Sequence, residues 1–359
     1  MEILSIVNQK GGCGKTTTAT NLAAALSLNG KKTLLVDLDP QAHASLGLGI
    51  EKEIGIYDCL SKISKNRRPL QDIIVQVQPN FDLAPSNIML STIDQELAEE
   101  IGRESRLSDI LKDVSGAYDF CLIDCPPNLG LLTVNAIRAA NNLIIPVEAS
   151  RFAVDGVKRL IEIVDLVRER LNHPVGYRVL VNNFDSRLRH SFKILSKIKE
   201  TFSEKVFNTI IHINVKVQEA QSEGQTIFSY DKYSRGAKDY FSLSREIISK
   251  EEAIVEKISQ QMKKVVRRKT SELFPVDFQI AKSDASSIFV VGDFNNWVAN
   301  DSSKLENRNG TWQAKLPLKP GAYKYRFIID GRWVEDPSNP NMEKNPFGEF
   351  DSLLVVKEQ

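Results

Sequence analysis

The stretch Asn8-Gln9-Lys10-Gly11-Gly12-Cys13-Gly14-Lys15-Thr16-Thr17 limits what this chain can fold into more than any other. A short apolar run, Ile3 to Val7, precedes it, and an alanine-rich run, Thr18 to Leu28, follows. The first predicts a buried strand and the second a helix. A glycine-rich turn between strand and helix aims backbone N–H groups at one spot, where the helix dipole favours negative charge. The result is a phosphate cradle, formed by Gly11, Gly12, Cys13, Gly14, Lys15, Thr16 and Thr17. Lys15 is placed to reach β- and γ-phosphates, and the Thr16 hydroxyl to ligate Mg²⁺. The P-loop pattern G-x-x-x-x-G-K-[ST] is not met in full. Gln9 stands where the first glycine belongs, and a second lysine, Lys10, follows it.

Other apolar runs end in acidic residues. Thr33 to Val36 predicts a strand that leads into Asp37-Leu38-Asp39-Pro40-Gln41. Ligands of open α/β sheets bind at the carboxyl ends of strands. Carboxylates placed there can order Mg²⁺ waters or an attacking water; for one of the two, a plain helix N-cap is the alternative. Phe120 to Ile123 predicts a strand ending in Asp124, positioned to hold Mg²⁺ through water. Pro126-Pro127 then stops the strand. Phe81–Ala84, Asn142–Val147 and Val179–Val181 read as further strands, and 93–111 and 152–171 as helices. Near-continuously apolar strands alternating with helices predict an α/β fold, a doubly wound, mostly parallel sheet.

The sequence K-G-G-C-G-K-T-T from Lys10 to Thr17 resembles the deviant Walker A motif of the ParA/MinD family of ATPases. D-L-D-P-Q from Asp37 and D-C-P-P-N-L-G from Asp124 resemble that family's second and third motifs, and the likeness runs to about residue 248. The resemblance implies ATP and Mg²⁺ as cofactors and an ATP-dependent homodimer in which Lys10 reaches the partner's nucleotide. It implies that Asp39 positions the hydrolytic water, that Asp37 is a Mg²⁺-side switch residue, and that Asn182 and Asn183 contact the base. Asp185-Ser186-Arg187-Leu188-Arg189 and Asn214-Val215-Lys216 stand where relatives carry basic residues that bind DNA without sequence preference. Arg187, Arg189 and Lys216 are therefore expected phosphate contacts, with ordinary solvated loop charges as the alternative. The family's I-P-R-N reads Ile211-His212-Ile213-Asn214 here, which replaces the proline beside the adenine and one arginine. A ParB-like activator protein is the implied partner. Cys125 raises the nitrogenase iron protein as a rival, but the glycine-rich surroundings of that protein's cluster cysteines are missing.

Net charge is +1, so any nucleic-acid surface must be local. Four cysteines without C-x-x-C spacing point to a reducing cytosol and no zinc site. No signal peptide or transmembrane segment is expected, so the location expected is cytoplasmic, and the resemblance implies association with the nucleoid. Residues 1–248 are expected to form the ATPase domain and 249–272 a helical linker ending in the basic run Lys263 to Lys269.

Beyond that linker, residues 273–359 change texture. Ile288–Val291, Trp312–Leu316, Tyr323–Ile329 and Leu353–Val356 alternate like strands, with Asn309-Gly310, Pro320-Gly321 and Asp330-Gly331 as turns. A C-terminal all-β, immunoglobulin-like sandwich is predicted. V-G-D-F-N-N-W and the run from Leu318 to Pro337 resemble the glycogen-binding domain of the AMP-activated kinase β subunit. By that resemblance Trp297 and Trp333 would stack on an α-glucan, with Arg326, Phe347 and Asp351 beside them. The alternative places both tryptophans in the core or at a protein interface.

These expectations add up to a slow, partner-stimulated ATP hydrolase that binds DNA and partitions or positions a cargo, either chromosome or plasmid DNA or a cellular body. The other function left open is a carbohydrate-granule-associated scaffold whose ATPase domain acts as an assembly switch.

Overall fold

Seven strands build the sheet of the N-terminal unit: β1 (Glu2–Ile6), β2 (Thr33–Asp37), β3 (Val75–Gln78), β4 (Phe81–Ala84), β5 (Phe120–Asp124), β6 (Asn142–Glu148) and β7 (Gly176–Asn182). Their order is β3-β4-β2-β5-β1-β6-β7, and every pairing is parallel except β3–β4. In the computed structural model the described residues are 1–150, 153–250, 273–345 and 349–357, and the chain divides into two units, Met1–Glu252 and Ala253–Gln359. The parallel strands are apolar throughout because both faces of the sheet are covered. Along β5, Phe120 and Leu122 enter the core on one face, and Cys121 and Ile123 the core on the other. The first face is covered by helix α1 (Lys15–Leu28) and by helical residues 235–250, which contribute Tyr240 and Leu243. The second is covered by the helices Arg106–Lys112, Leu131–Ala139, Ala153–Leu171 and Arg189–Phe202.

Helix α1 begins at Lys15, three residues before the apolar run predicts. Gly14 caps it in the left-handed region at φ 85°, and Gly12 sits at φ 73°. Both conformations suit glycine far better than any L-residue. The alanines 19, 23, 24 and 25 are fully buried, so small side chains let α1 lie close to the sheet.

One sequence expectation differs from the structure, and three elements carry no clear signal in the sequence. The helix expected over 93–111 is broken into Ile93–Glu96 and Arg106–Lys112, separated by turns and by Gly102 at φ 77°. Strand β3, whose residues are half-buried or exposed, lacks the apolar run that marks its neighbours. The helices Arg189–Phe202 and Val215–Ser222 were not foreseen; the first opens in polar residues and buries only Ser191, Ile198 and Phe202.

The loop after β2 meets the turn after Val215–Ser222 backbone to backbone. A Cβ on Gly224 would lie 3.0 Å from the Gly49 Cα, and both glycines have φ 68°.

The C-terminal unit is all β. Strands β8 (Phe274–Ala281), β9 (Ile288–Gly292), β10 (Glu306–Arg308), β11 (Thr311–Leu318), β12 (Gly321–Ile329), β13 (Arg332–Val334), β14 (Met342–Lys344) and β15 (Phe350–Val356) form two antiparallel sheets. One is β10-β11-β8; the other is β13-β12-β15-β14, with β9 also on β12. Phe278, Ile280 and Trp312 from the first sheet share a core with Ile288, Val290, Tyr325 and Phe327 from the second. Two sheets over one alternating core make the expected sandwich. Residues 251–272, including the basic run Lys263 to Lys269 and most of the expected linker, lie outside the described residues.

All three tryptophans of the chain, Trp297, Trp312 and Trp333, belong to this unit, so indole fluorescence reports on it alone. Phe327 is fully buried in its core. Phe327→Ala is expected to destabilise the unit by about 3–5 kcal/mol. Urea titration should shift the midpoint seen by tryptophan fluorescence, and far-UV circular dichroism should resolve a second, unshifted transition from the α/β unit.

Candidate functional site

The phosphate loop closes at the carboxyl end of β1, flanked by the ends of β5 and β6. Its backbone is braced from β7. The Asn182 amide donates to the Cys13 carbonyl at 2.8 Å, and a Cβ on Gly14 would fall 2.1 Å from Asn182 Nδ2. Asn182 is thus a support of the loop, and its Oδ1 is a buried acceptor with no partner, beside a cavity of about 500 Å³. That cavity runs from Gly12, Gly14 and Thr17 past Glu148 and Asn183 to Ile211, His212 and Val217. Asn183, in the left-handed region at φ 50°, donates to Glu148 Oε1 at 3.1 Å.

The two lysines of the loop face different ways. Lys15 is buried, and its ammonium donates to the Lys10 carbonyl at 3.2 Å, within its own loop. Lys10 is 54% exposed at the rim, and its ammonium pairs with Glu148.

Three carboxylates converge at the ends of β2 and β5, where Asp37 pairs with Asp124 in register. Asp37 has both oxygens engaged: Oδ1 accepts from the Asp39 N–H (3.0 Å), and Oδ2 from the Ser45 N–H (2.9 Å) and hydroxyl (2.8 Å). It fastens the loop after β2, a different task from the metal-side role expected of it. Asp39 Oδ1 accepts from the Gln41 N–H at 3.0 Å, and Oδ2 bonds His43 Nδ1 at 3.0 Å. Asp124 is fully buried, and neither of its oxygens has a hydrogen-bond partner. Burial drives its pKa well above the usual carboxylate range; the nearby Asp37 charge adds to this, and the Thr16 hydroxyl and Lys15 offset part of it. Burial also raises Asp37.

A buried, unpartnered carboxylate beside a threonine hydroxyl at the mouth of a phosphate loop fits Mg²⁺, which prefers oxygen ligands and retains water. Thr16 and Asp124 would hold it. Among the described residues no three His, Cys, Asp or Glu side chains cluster as a metal site. The four cysteines are free and buried.

The expected DNA contacts are exposed, but two have acidic partners. Arg187 chelates Asp185 through Nε (2.9 Å) and Nη2 (2.7 Å), which holds the Asp185 carboxyl down at about 2. Lys216 pairs with Glu219 at 3.0 Å. Arg189 opens its helix, exposed to solvent. His212 is held by the Asp239 carboxylate, which accepts from its backbone N–H and bonds Nδ1, each at 2.9 Å.

In the C-terminal unit Trp297 and Trp333 do meet, with ring centroids 6.1 Å apart and planes inclined by 34°. Trp333 is 46% exposed, and the Trp297 indole N–H donates to Asp293 at 3.1 Å. Arg326 differs from its expected role. Its side chain is buried, paired with Glu349 and donating to the Trp333 carbonyl at 3.4 Å, so it props the strand that carries Trp333 and does not face solvent. Asp351 is likewise buried and accepts from Asn345 at 3.1 Å. Phe347 lies outside the described residues. Lys324, on the same strand as Arg326 and paired with Glu343 at 2.7 Å, is the more accessible cation. Both residues lie on one face of β12, where i and i+2 point the same way, so only their partners tell them apart.

This fold and site define a nucleotide-binding α/β protein with a deviant phosphate loop. Comparison with known proteins agrees. Residues 1–177 match the family model described as AAA domain, and residues 274–359 match the model of the glycogen recognition site of AMP-activated protein kinase. The chromosome-partitioning ATPase Soj of Treponema pallidum is 43% identical over 69% of this chain and 97% of its own length. The chromosome partitioning protein ParA of Myxococcus xanthus is 38% identical over 69% of this chain and 88% of its own. Among solved structures, the septum site-determining protein MinD of Pyrococcus horikoshii, complexed with Mg-ADP, superposes with a TM-score of 0.57 at 26% identity, covering 68% of this chain and 95% of that one. The chain belongs to the ParA/MinD family of ATPases and carries a glycogen-binding-like domain at its C-terminal end.

The charge on Asp124 sets a test. Because the folded state holds this proton more tightly than the unfolded state, stability falls as pH rises above the unfolded carboxylate value of about 3.9. Asp124→Asn removes the titrating carboxyl group and should stabilise the nucleotide-free protein at pH 7 by about 1–3 kcal/mol. Its margin over wild type should shrink as pH falls toward 4. The same variant should lose the rise in Tm that Mg·ATP gives the wild type, as read by thermal melts with EDTA or with Mg·ATP.

Proposed function

We propose that this chain is a slow, partner-stimulated ATPase that dimerises around ATP, binds DNA without sequence preference in that state, and positions a cargo. The observation that carries this reading is the orientation of the two loop lysines. Lys15 turns into its own cradle, whereas Lys10 stands at the rim, exposed and held only by Glu148. A cation so placed serves a phosphate outside its own loop, which is what a nucleotide sandwiched between two copies presents. Mg²⁺, when bound, neutralises phosphate charge. The loop N–H groups and Lys15 bind the phosphates, and Asp39 orients the attacking water. Asn182 Oδ1 is left as a ready acceptor for a donor on the base.

Exposed Arg187, Arg189 and Lys216 support contact with DNA phosphates. The acidic partners of Arg187 and Lys216 must yield to those phosphates, so affinity should be modest and steep in salt. This implies a nucleoid-associated protein with a ParB-like activator. No helix among the described residues is long and apolar enough to cross a membrane. Asp39→Ala is expected to retain ATP and elute as a dimer, and to bind unrelated duplexes equally well at low salt. Adding Arg187→Glu and Lys216→Glu should abolish that binding at every sequence while leaving the dimer intact. A monomeric Asp39→Ala protein under Mg·ATP would defeat the dimer model.

The adjacent tryptophans favour a second component. Two indoles side by side, one half-exposed, offer a stacking platform for pyranose rings, and this supports an α-glucan ligand for residues 273–359. Cargo capture through a carbohydrate granule, with the ATPase as assembly switch, then becomes the alternative to DNA cargo. Retention of the full chain on amylose should disappear in Trp333→Ala. Trp297→Ala should weaken it by about 1–3 kcal/mol, in the range of ring-stacking losses seen with other planar ligands. Lack of retention by the folded wild type would leave protein docking as the role of this unit.

A further inference from the structure

We infer that His43 is a positioning residue for ATP hydrolysis, acting through Asp39; this rests on reading Asp39 as the carboxylate that orients the attacking water. Among the described residues, His43 is the one side chain hydrogen-bonded to the Asp39 carboxylate, through Nδ1 and Oδ2 at 3.0 Å. The other oxygen accepts from the Gln41 backbone N–H, so the carboxylate is fixed at both ends. An ionised carboxylate only accepts, so Nδ1 carries the hydrogen and Nε2 is left unprotonated in the neutral ring.

Local backbone geometry delivers the histidine to this place. Ala42 turns the chain at φ 52°, in the left-handed region, and the short helix His43–Leu46 starts immediately after it. That helix meets both aspartates of the loop. Ser45 takes Asp37 with its N–H and hydroxyl, and His43 takes Asp39. Asp37 is thereby fastened by backbone and side chain together, whereas Asp39 depends on one side chain for the orientation of Oδ2.

This arrangement matters for hydrolysis and little for folding. The imidazole is 59% exposed and the carboxylate 9%. A half-exposed pair four residues apart contributes little to stability. What it fixes is the rotation of the carboxylate. As the water oxygen bonds to the γ-phosphorus and the bond from that phosphorus to the β,γ-bridging oxygen breaks, Oδ1 or Oδ2 must hold the water O–H in line. A carboxylate free to rotate spends less time in that geometry, and the loss falls on kcat because the group acts in the transition state.

The test uses the full-length protein with Mg·ATP, in the presence of DNA. His43→Ala should lower kcat about tenfold, the loss of one charge-assisted hydrogen bond. KM and ATP affinity should stay within about twofold, and Tm should not move. His43→Asn, whose amide nitrogen can occupy the place of Nδ1, should recover most of the rate, whereas His43→Leu should not. In the Asp39→Ala background, His43→Ala should have no further effect, because the two act as a unit. Wild-type kcat in His43→Ala, an equal fall in kcat and affinity, or no recovery in His43→Asn would overturn the proposal. If Asp39→Ala itself hydrolyses ATP at the wild-type rate, the underlying reading of Asp39 fails instead.

Discussion

The burial of two carboxyl groups at the carboxyl ends of β2 and β5 is the constraint on which the site depends. Asp124 is buried without a hydrogen-bond partner, and Asp37 lies beside it in register. Burial disfavours the charged form of both, so Asp124 keeps its proton unless a cation comes to it. The other features of the site follow from that need. The glycine turn brings N–H dipoles and the Lys15 ammonium to the same end of the sheet. Asn182 holds that turn from the far strand, and the loop after β2 ties Asp37 away with Ser45. In Mg·ATP the metal ion supplies the cation for the carboxylates, and Lys15 with the loop N–H groups supplies it for the phosphates.

Much of this was legible in the sequence because the relevant signals are local. A strand, a glycine turn and a helix lie within 28 residues, and the buried strands are apolar end to end. The parts that were not legible depend on tertiary contacts. Strand β3 is an antiparallel edge with mixed burial and carries no apolar run. The helix Arg189–Phe202 opens with Arg, His and Ser, so its start carries no N-cap signal. Gly102 breaks a segment whose composition alone reads as helical. Residue type singled out Asp37, Arg326 and Asn182, but said nothing of their partners. Each is committed by contacts across at least six residues of sequence, to Ser45, to Glu349 and to Cys13 respectively.

The two units present opposite kinds of surface. The N-terminal site gathers charge and buries it, so its ligand must bring counter-charge. The C-terminal face instead leaves aromatic surface uncovered. Trp333 is half-exposed, and its strand is held from beneath by the buried Arg326 guanidinium. An arginine paired with Glu349, and with Glu335 at 3.8 Å, under a tryptophan platform makes the platform stiff. Stiffness lowers the ordering cost of binding a weakly held ligand.

The contact between Gly49 and Gly224 has a mechanical consequence. With no side chain on either, two loops rest main chain on main chain, and rotamer changes cannot take up motion at that point. One loop follows the Asp39 turn; the other follows the helix that carries Lys216. The joint is also one-sided: a side chain at Gly224 would press on the Gly49 main chain at 3.0 Å, whereas one at Gly49 would meet Gly224 no closer than 3.5 Å and be opposed by its positive φ alone.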